Sequence, residues 1–233
     1  MNARFLAIAR DPRIIPGVHH HCDEWCDYCP VTRRCLAFLC MAEFRRQHGR
    51  SHTDPPFTSV EAAVAFTREL AAIDGTSTEE LDALLAGPPG QSGLETSDPL
   101  ASVAWEYAVR VALVLAATGG EVTTAKPRAS GPEPEDVVVW YHLRIYLRVV
   151  RALISREKPL GSSDRREDAT GSAKLALVSI GRSRSALQSL RSAGNDVEIS
   201  GLMALLDALE RGLDERFPNA RSFLRIGLDC PAA

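Results

Sequence analysis

The spacing of apolar positions along the chain predicts helices almost throughout. Val60, Ala63, Phe66, Leu70 and Ile73 recur at steps of three and four, the period of one face of an α-helix. Three later stripes do the same: Val139, Leu143, Tyr146, Val150 and Leu153; Ala176, Ile180, Ser183, Leu187 and Leu190; Ile199, Leu202, Leu206, Leu209 and Leu213. Between Val103 and Ala117 the chain is apolar on nearly every side, which predicts a central, buried helix. With the three later stripes it makes a four-helix core. Alternating strand patterns and internal repeats are missing, so the expected fold class is all-α: a helical bundle with an N-terminal cysteine-rich metal-binding loop.

Punctuation places the ends of these elements. Pro30 suits the first turn of a helix that runs to Gln47 and is stopped by Gly49. Thr58 with Glu61, and Thr76 with Glu79, have capping-box spacing. Asp98-Pro99 reads as a cap followed by a first-turn proline, and Gly119-Gly120 as a helix stop. Glu106 and Arg110 are spaced to pair along their helix. Asp168 ahead of Gly171-Ser172-Ala173-Lys174 reads as a helix cap; it lacks the strand and the Gly-Lys-Ser/Thr end of a phosphate loop. Residues 87–97 and 120–134 read as linkers. The expected organisation is a cysteine-bearing segment with its first helix over 1–48 and a bundle over 58–233 packed against it as one compact domain.

Composition narrows the function classes. A chain of 233 residues with 45% apolar content and a net charge of −3 can bury a core and has no bias towards nucleic acid or an anionic membrane. Arg4, Arg10, Asp11 and Arg13 interrupt the N-terminus, unlike a signal peptide, and no apolar run reads as a bilayer span. The expectation is a cytoplasmic protein with reduced thiols and a protein partner; no small-molecule ligand is indicated.

Cysteine usage adds the candidate chemistry. Five of six cysteines lie between Cys22 and Cys40, a density that suits metal ligation better than a disulfide scaffold. Cys22, Cys26, Cys29 and Cys35 form a C-x3-C-x2-C-x5-C segment. Four thiolates complete one coordination sphere and suit either an iron–sulfur cluster or zinc. Trp25 and Tyr28 could shield a cluster. The acidic residues Asp23, Glu24 and Asp27 would make reduction harder, with Arg33, Arg34 and His19 to His21 as offsets. His19, His20 and His21 read as loop residues or an alternative ligand, Cys40 as a core thiol and Cys230 as incidental. The spacing of Cys22, Cys26 and Cys29 is also that of radical S-adenosylmethionine enzymes, but the alternating strands and helices of their barrel are missing. No Glu-x-x-His occurs, which disfavours a di-iron bundle. Arg144, Arg148 and Arg151 form a basic stripe, read as a solvated face or an anion site.

Cys26-x2-Cys29-Pro-Val-x3-Cys35-Leu-Ala-Phe resembles the cluster-binding core of WhiB-like regulators over about twenty residues. The resemblance implies a [4Fe–4S] cluster on Cys26, Cys29 and Cys35 with Cys22 as a closer fourth ligand. The glycine-tryptophan turn and basic tail of that family are missing, so DNA or sigma-factor binding does not carry over. More broadly, Ile15-Pro16-Gly17, Cys22-Asp23, Trp25-Cys26 and Cys29-Pro30, with Phe217-Pro218 and Leu228-Asp229 near the end, resemble a bacterial family with an N-terminal Cys-Asp-x-Trp-Cys-x-x-Cys-Pro motif. That resemblance brings no activity with it. The expected function is a [4Fe–4S] protein for redox sensing or electron transfer. The alternatives are a zinc-stabilised interaction module without redox chemistry and a bundle enzyme with a structural metal.

Overall fold

A computed structural model describes residues 2–51, 57, 59–73, 98–117, 130–157, 163–191 and 196–229. Among these the secondary structure is seven α-helices and two 3₁₀ turns, with no β-strand; the all-α expectation holds. The chain forms two compact units, Met1–Ser92 with Leu224–Ala233, and Gly93–Phe223.

In the first unit, α1 (Ala3–Ala9) starts where Asn2 accepts the Arg4 amide at 3.0 Å. Helix α2 (Leu36–Gln47) begins six residues later than the Pro30 signal predicts, because two 3₁₀ turns take up the intervening chain. Its end is a Schellman cap: Arg50 N–H donates to Arg45 O at 2.8 Å and Gly49 N–H to Arg46 O at 3.2 Å, with Gly49 at φ +62°. Helix α3 (Val60–Ile73) is capped one residue later than the predicted capping box, by Ser59, whose hydroxyl accepts the Ala62 amide at 3.2 Å. Thr58, the Thr76/Glu79 box, the 87–97 linker and Gly119-Gly120 lie outside the described residues. Phe5, Leu36, Cys40 and Phe66 form the buried core, where Phe5 and Phe66 meet edge to face at 5.8 Å.

A second apolar cluster joins Ile15, Val18 and Cys35 to Leu228 from the chain's end. Gly227 makes this approach possible. At φ +76°, a Cβ there would lie 2.9 Å from Ile15 Cδ1. Gly227→Ala therefore combines backbone strain with a clash, and the expected loss is roughly 1–3 kcal/mol. Hydrogen exchange checks it: residues 224–229 should lose protection in the variant, and unchanged protection would contradict the packing described.

The second unit is a ring of four helices: α4 (Pro99–Ala117), α5 (Pro134–Glu157), α6 (Ser163–Arg191) and α7 (Asp196–Arg216). Each packs on its sequence neighbour, and α4 closes the ring on α7. Cross-contacts fix antiparallel registers. Arg151 and Tyr141 of α5 meet Asp168 and Arg182 of α6, while Asp98 and Glu106-paired Arg110 of α4 lie beside Arg216 and Gly201 of α7. Asp98 caps α4 as expected, accepting the Leu100 amide at 2.7 Å, and Glu106 pairs with Arg110 at 2.6 Å.

The stripe on α7 is buried as predicted, and so are Ala176, Ile180, Ser183 and Leu187 on α6. On α5 Val150 and Leu153 of the predicted stripe are buried, but Leu143 is exposed and the first turns bury Val138, Tyr141, Ile145 and Val149 instead. Asp168 does not cap a helix. It lies within α6 and accepts from Arg151 and from the Ser155 hydroxyl. The expectation of a fully buried α4 is also corrected, since Trp105, Val109 and Leu113 face outward. By length and composition Pro99–Ala116 could cross a membrane, which corrects the reading that no run is long enough.

His142 on α5 is half-buried and hydrogen-bonds Val139 O through Nδ1 at 2.6 Å. Burial holds its imidazole below the ordinary pKa, with the Arg144 charge adding to this and the Val139 carbonyl opposing it. Folding therefore favours the neutral ring. Its contribution is full above about pH 6.5, the unfolded value, and is lost as pH falls towards the lower folded value. The denaturation midpoint should drop between pH 7.5 and 5.5 in the native chain and drop less in His142→Leu. Equal drops would contradict it.

Candidate metal centre

The loop from Gly17 to Cys35 is built from short turns. Trp25 N–H is held by the Asp23 carboxylate at 3.3 Å, and Cys26 N–H donates to Glu24 O at 3.0 Å. Glu24 sits at φ +62°, a conformation that costs a non-glycine residue about 1 kcal/mol and that tightens the chain between Cys22 and Cys26. Cys26 opens the first 3₁₀ turn (Cys26–Tyr28), and Cys29 closes it by donating to Cys26 O at 3.2 Å. Cys35 closes the second (Thr32–Arg34), donating to Thr32 O at 3.2 Å, and is also the N-cap of α2. Cys22 Sγ lies 3.5 Å from His19 O. The loop is anchored where Ile15 N–H donates to Arg34 O and Arg34 Nε to Arg13 O, each at 2.9 Å.

All four sequence-predicted ligands are therefore on one loop, three of them at turn ends. None is in a disulfide. Burial pushes the Cys26 thiol up to about 12, and the charges of Cys22, Cys35, Cys29 and Asp27 add to the rise. Burial likewise takes Cys22 up to about 11. Cys35 is raised by burial too, while the Phe38 and Ala37 amides at the start of α2 pull the other way. Cys26 thus lies within electrostatic reach of the other three thiols. Even so, no three His, Cys, Asp or Glu side chains among the described residues are drawn together as a ready-made metal site. Coordination requires deprotonated thiols, so metal binding and thiol ionisation are coupled.

Trp25 is buried and meets Tyr28 edge to face at 5.0 Å, so the expected aromatic pair sits beside the cysteines. His19 and His20 rings pack at 4.3 Å, with His21 next to His20. Cys40 is fully buried in the Phe5 core, as a structural thiol should be. Cys230 lies outside the described residues. Sequence reasoning missed the supports of the loop: the left-handed Glu24, and the Ile15–Val18–Leu228 cluster behind Cys35.

The arginine stripe is largely committed to structure. Arg144 stacks on Trp140 at 3.7 Å and donates to its carbonyl at 3.1 Å; Arg151 pairs with Asp168 at 2.6 Å. Comparison with family profiles, curated proteins and solved structures gives no match to the chain.

Proposed function

We propose that the chain is an iron–sulfur protein in which Cys22, Cys26, Cys29 and Cys35 hold one [4Fe–4S] cluster, with a redox-sensing or electron-transfer role and a protein partner in the cytoplasm. The observation that carries this reading is the cysteine-tipped pair of 3₁₀ turns, which presents Cys26, Cys29 and Cys35 from one short, anchored stretch with Cys22 just upstream. The influence of the other three thiols on Cys26 and the local resemblance to the WhiB-like core support it. When bound, such a cluster supplies reversible one-electron chemistry.

The residues around the loop have definite tasks in this reading. Trp25 and Tyr28 exclude water from the sulfurs. The α2 amides near Cys35 favour its thiolate. Four protein thiolates leave no open iron, which favours electron handling over substrate chemistry. Asp23, Glu24 and Asp27 place negative charge beside the site, which holds a reduction potential down.

Anaerobic reconstitution with ferric iron, sulfide and a thiol reductant, which supplies the two electrons that bring four ferric ions to the [4Fe–4S] level, tests the proposal. The expected product binds about four irons per chain and gives a paramagnetic signal on one-electron reduction. A protein that takes up no iron but holds one zinc tightly would establish the zinc-stabilised module instead.

A further inference from the structure

The outward face of α4 carries Trp105, Val109 and Leu113, exposed by 51%, 36% and 65%. They are spaced four apart, so they form one stripe. Trp105 packs on Tyr146 of α5 at 5.2 Å, and Leu143 and Leu147, four apart on the outward side of Tyr146 and exposed by 43% and 38%, add apolar surface on the same helix. We infer that this face is a self-association surface on which a second copy of the chain docks through α4 against α4 about a two-fold axis.

Three observations select a second copy. The stripe is symmetric about Val109. An antiparallel two-fold pairing therefore sets Trp105 against Leu113 of the other copy and the smaller Val109 on its own counterpart at the axis, as an isologous interface requires. The flanking charges Glu106 and Arg110 neutralise each other at 2.6 Å, so two copies meet without opposing like charges. The area is also of the right order. The exposed parts of the five apolar side chains come to roughly 400 Å² per copy, or roughly 800 Å² in a dimer. That is below the ~1,200 Å² of standard specific complexes and in the range of a weak, transient dimer.

Sedimentation of the full chain from about 1 to about 100 µM tests this with charges placed at the axis. The native chain should dimerise over that range. Val109→Glu and Val109→Lys should each be monomeric, because identical charges meet at the two-fold, with the helical circular dichroism of the native chain retained. Mixing the two variants should restore a dimer. A native chain that stays monomeric to about 100 µM, a dimer that survives Val109→Glu, or a mixture that fails to recover would each overturn the inference. The first outcome would assign the face to a different occupant, such as another protein or a membrane.

Discussion

Replacing Cys26 with serine is expected to cut bound iron from about four per chain to well under one, with loss of the visible absorption. Cys26 opens the first 3₁₀ turn, between Cys22 and Cys29 in the proposed ligand set, and the charges of Cys22, Cys35 and Cys29 add to the rise of its thiol. A serine hydroxyl has nearly the shape of the thiol but is a hard donor that does not ionise at neutral pH, so it fails as a ligand to soft iron. Cys22→Ser, Cys29→Ser and Cys35→Ser should behave alike. Cys40→Ala should keep its iron, since that thiol belongs to the apolar core with Phe5, Leu36 and Phe66. Metal analysis with the visible spectrum checks all five variants. Full iron in Cys26→Ser would remove it from the ligand set.

Phe5→Ala should destabilise the first unit by roughly 3–5 kcal/mol. The ring is fully buried, packs edge to face on Phe66, and shares its core with Leu36, Cys40 and the partly buried Ile8, Phe44 and Leu70 among the described residues, so its loss leaves a cavity at the centre of that cluster. Chemical denaturation monitored by near-ultraviolet circular dichroism measures the loss. A change below about 1 kcal/mol would mean that the cluster is not what holds α1, α2 and α3 together.

Local helix patterning was legible in the sequence, and long-range packing was not. The α7 leucines stand apart from charged neighbours, so one face alone could be buried, and that face is buried. Helix α5 reads Val-Val-Val-Trp-Tyr at its start and is apolar on several sides. Periodicity therefore could not choose between the Val139–Leu143 face and the Tyr141–Ile145 face that packs inward. Helix α4 had the same ambiguity in another form: apolar content fixes how much a helix could bury, not how much surface its neighbours offer.

At the cysteine loop, spacing alone picked out Cys22, Cys26, Cys29 and Cys35 as candidates. The Pro30 signal misplaced the start of α2, because the chain winds through a second 3₁₀ turn to Cys35 before the helix begins. The return of Leu228 to Ile15 and Val18 left no local signature beyond Gly227, whose positive φ becomes meaningful only beside Ile15.

The most direct test of the iron–sulfur assignment is an ultraviolet–visible spectrum with elemental analysis on protein purified without oxygen. A brown protein with broad absorption near about 400 nm and about four irons per chain is expected. A colourless protein carrying one zinc per chain, or no metal at all, would contradict the assignment.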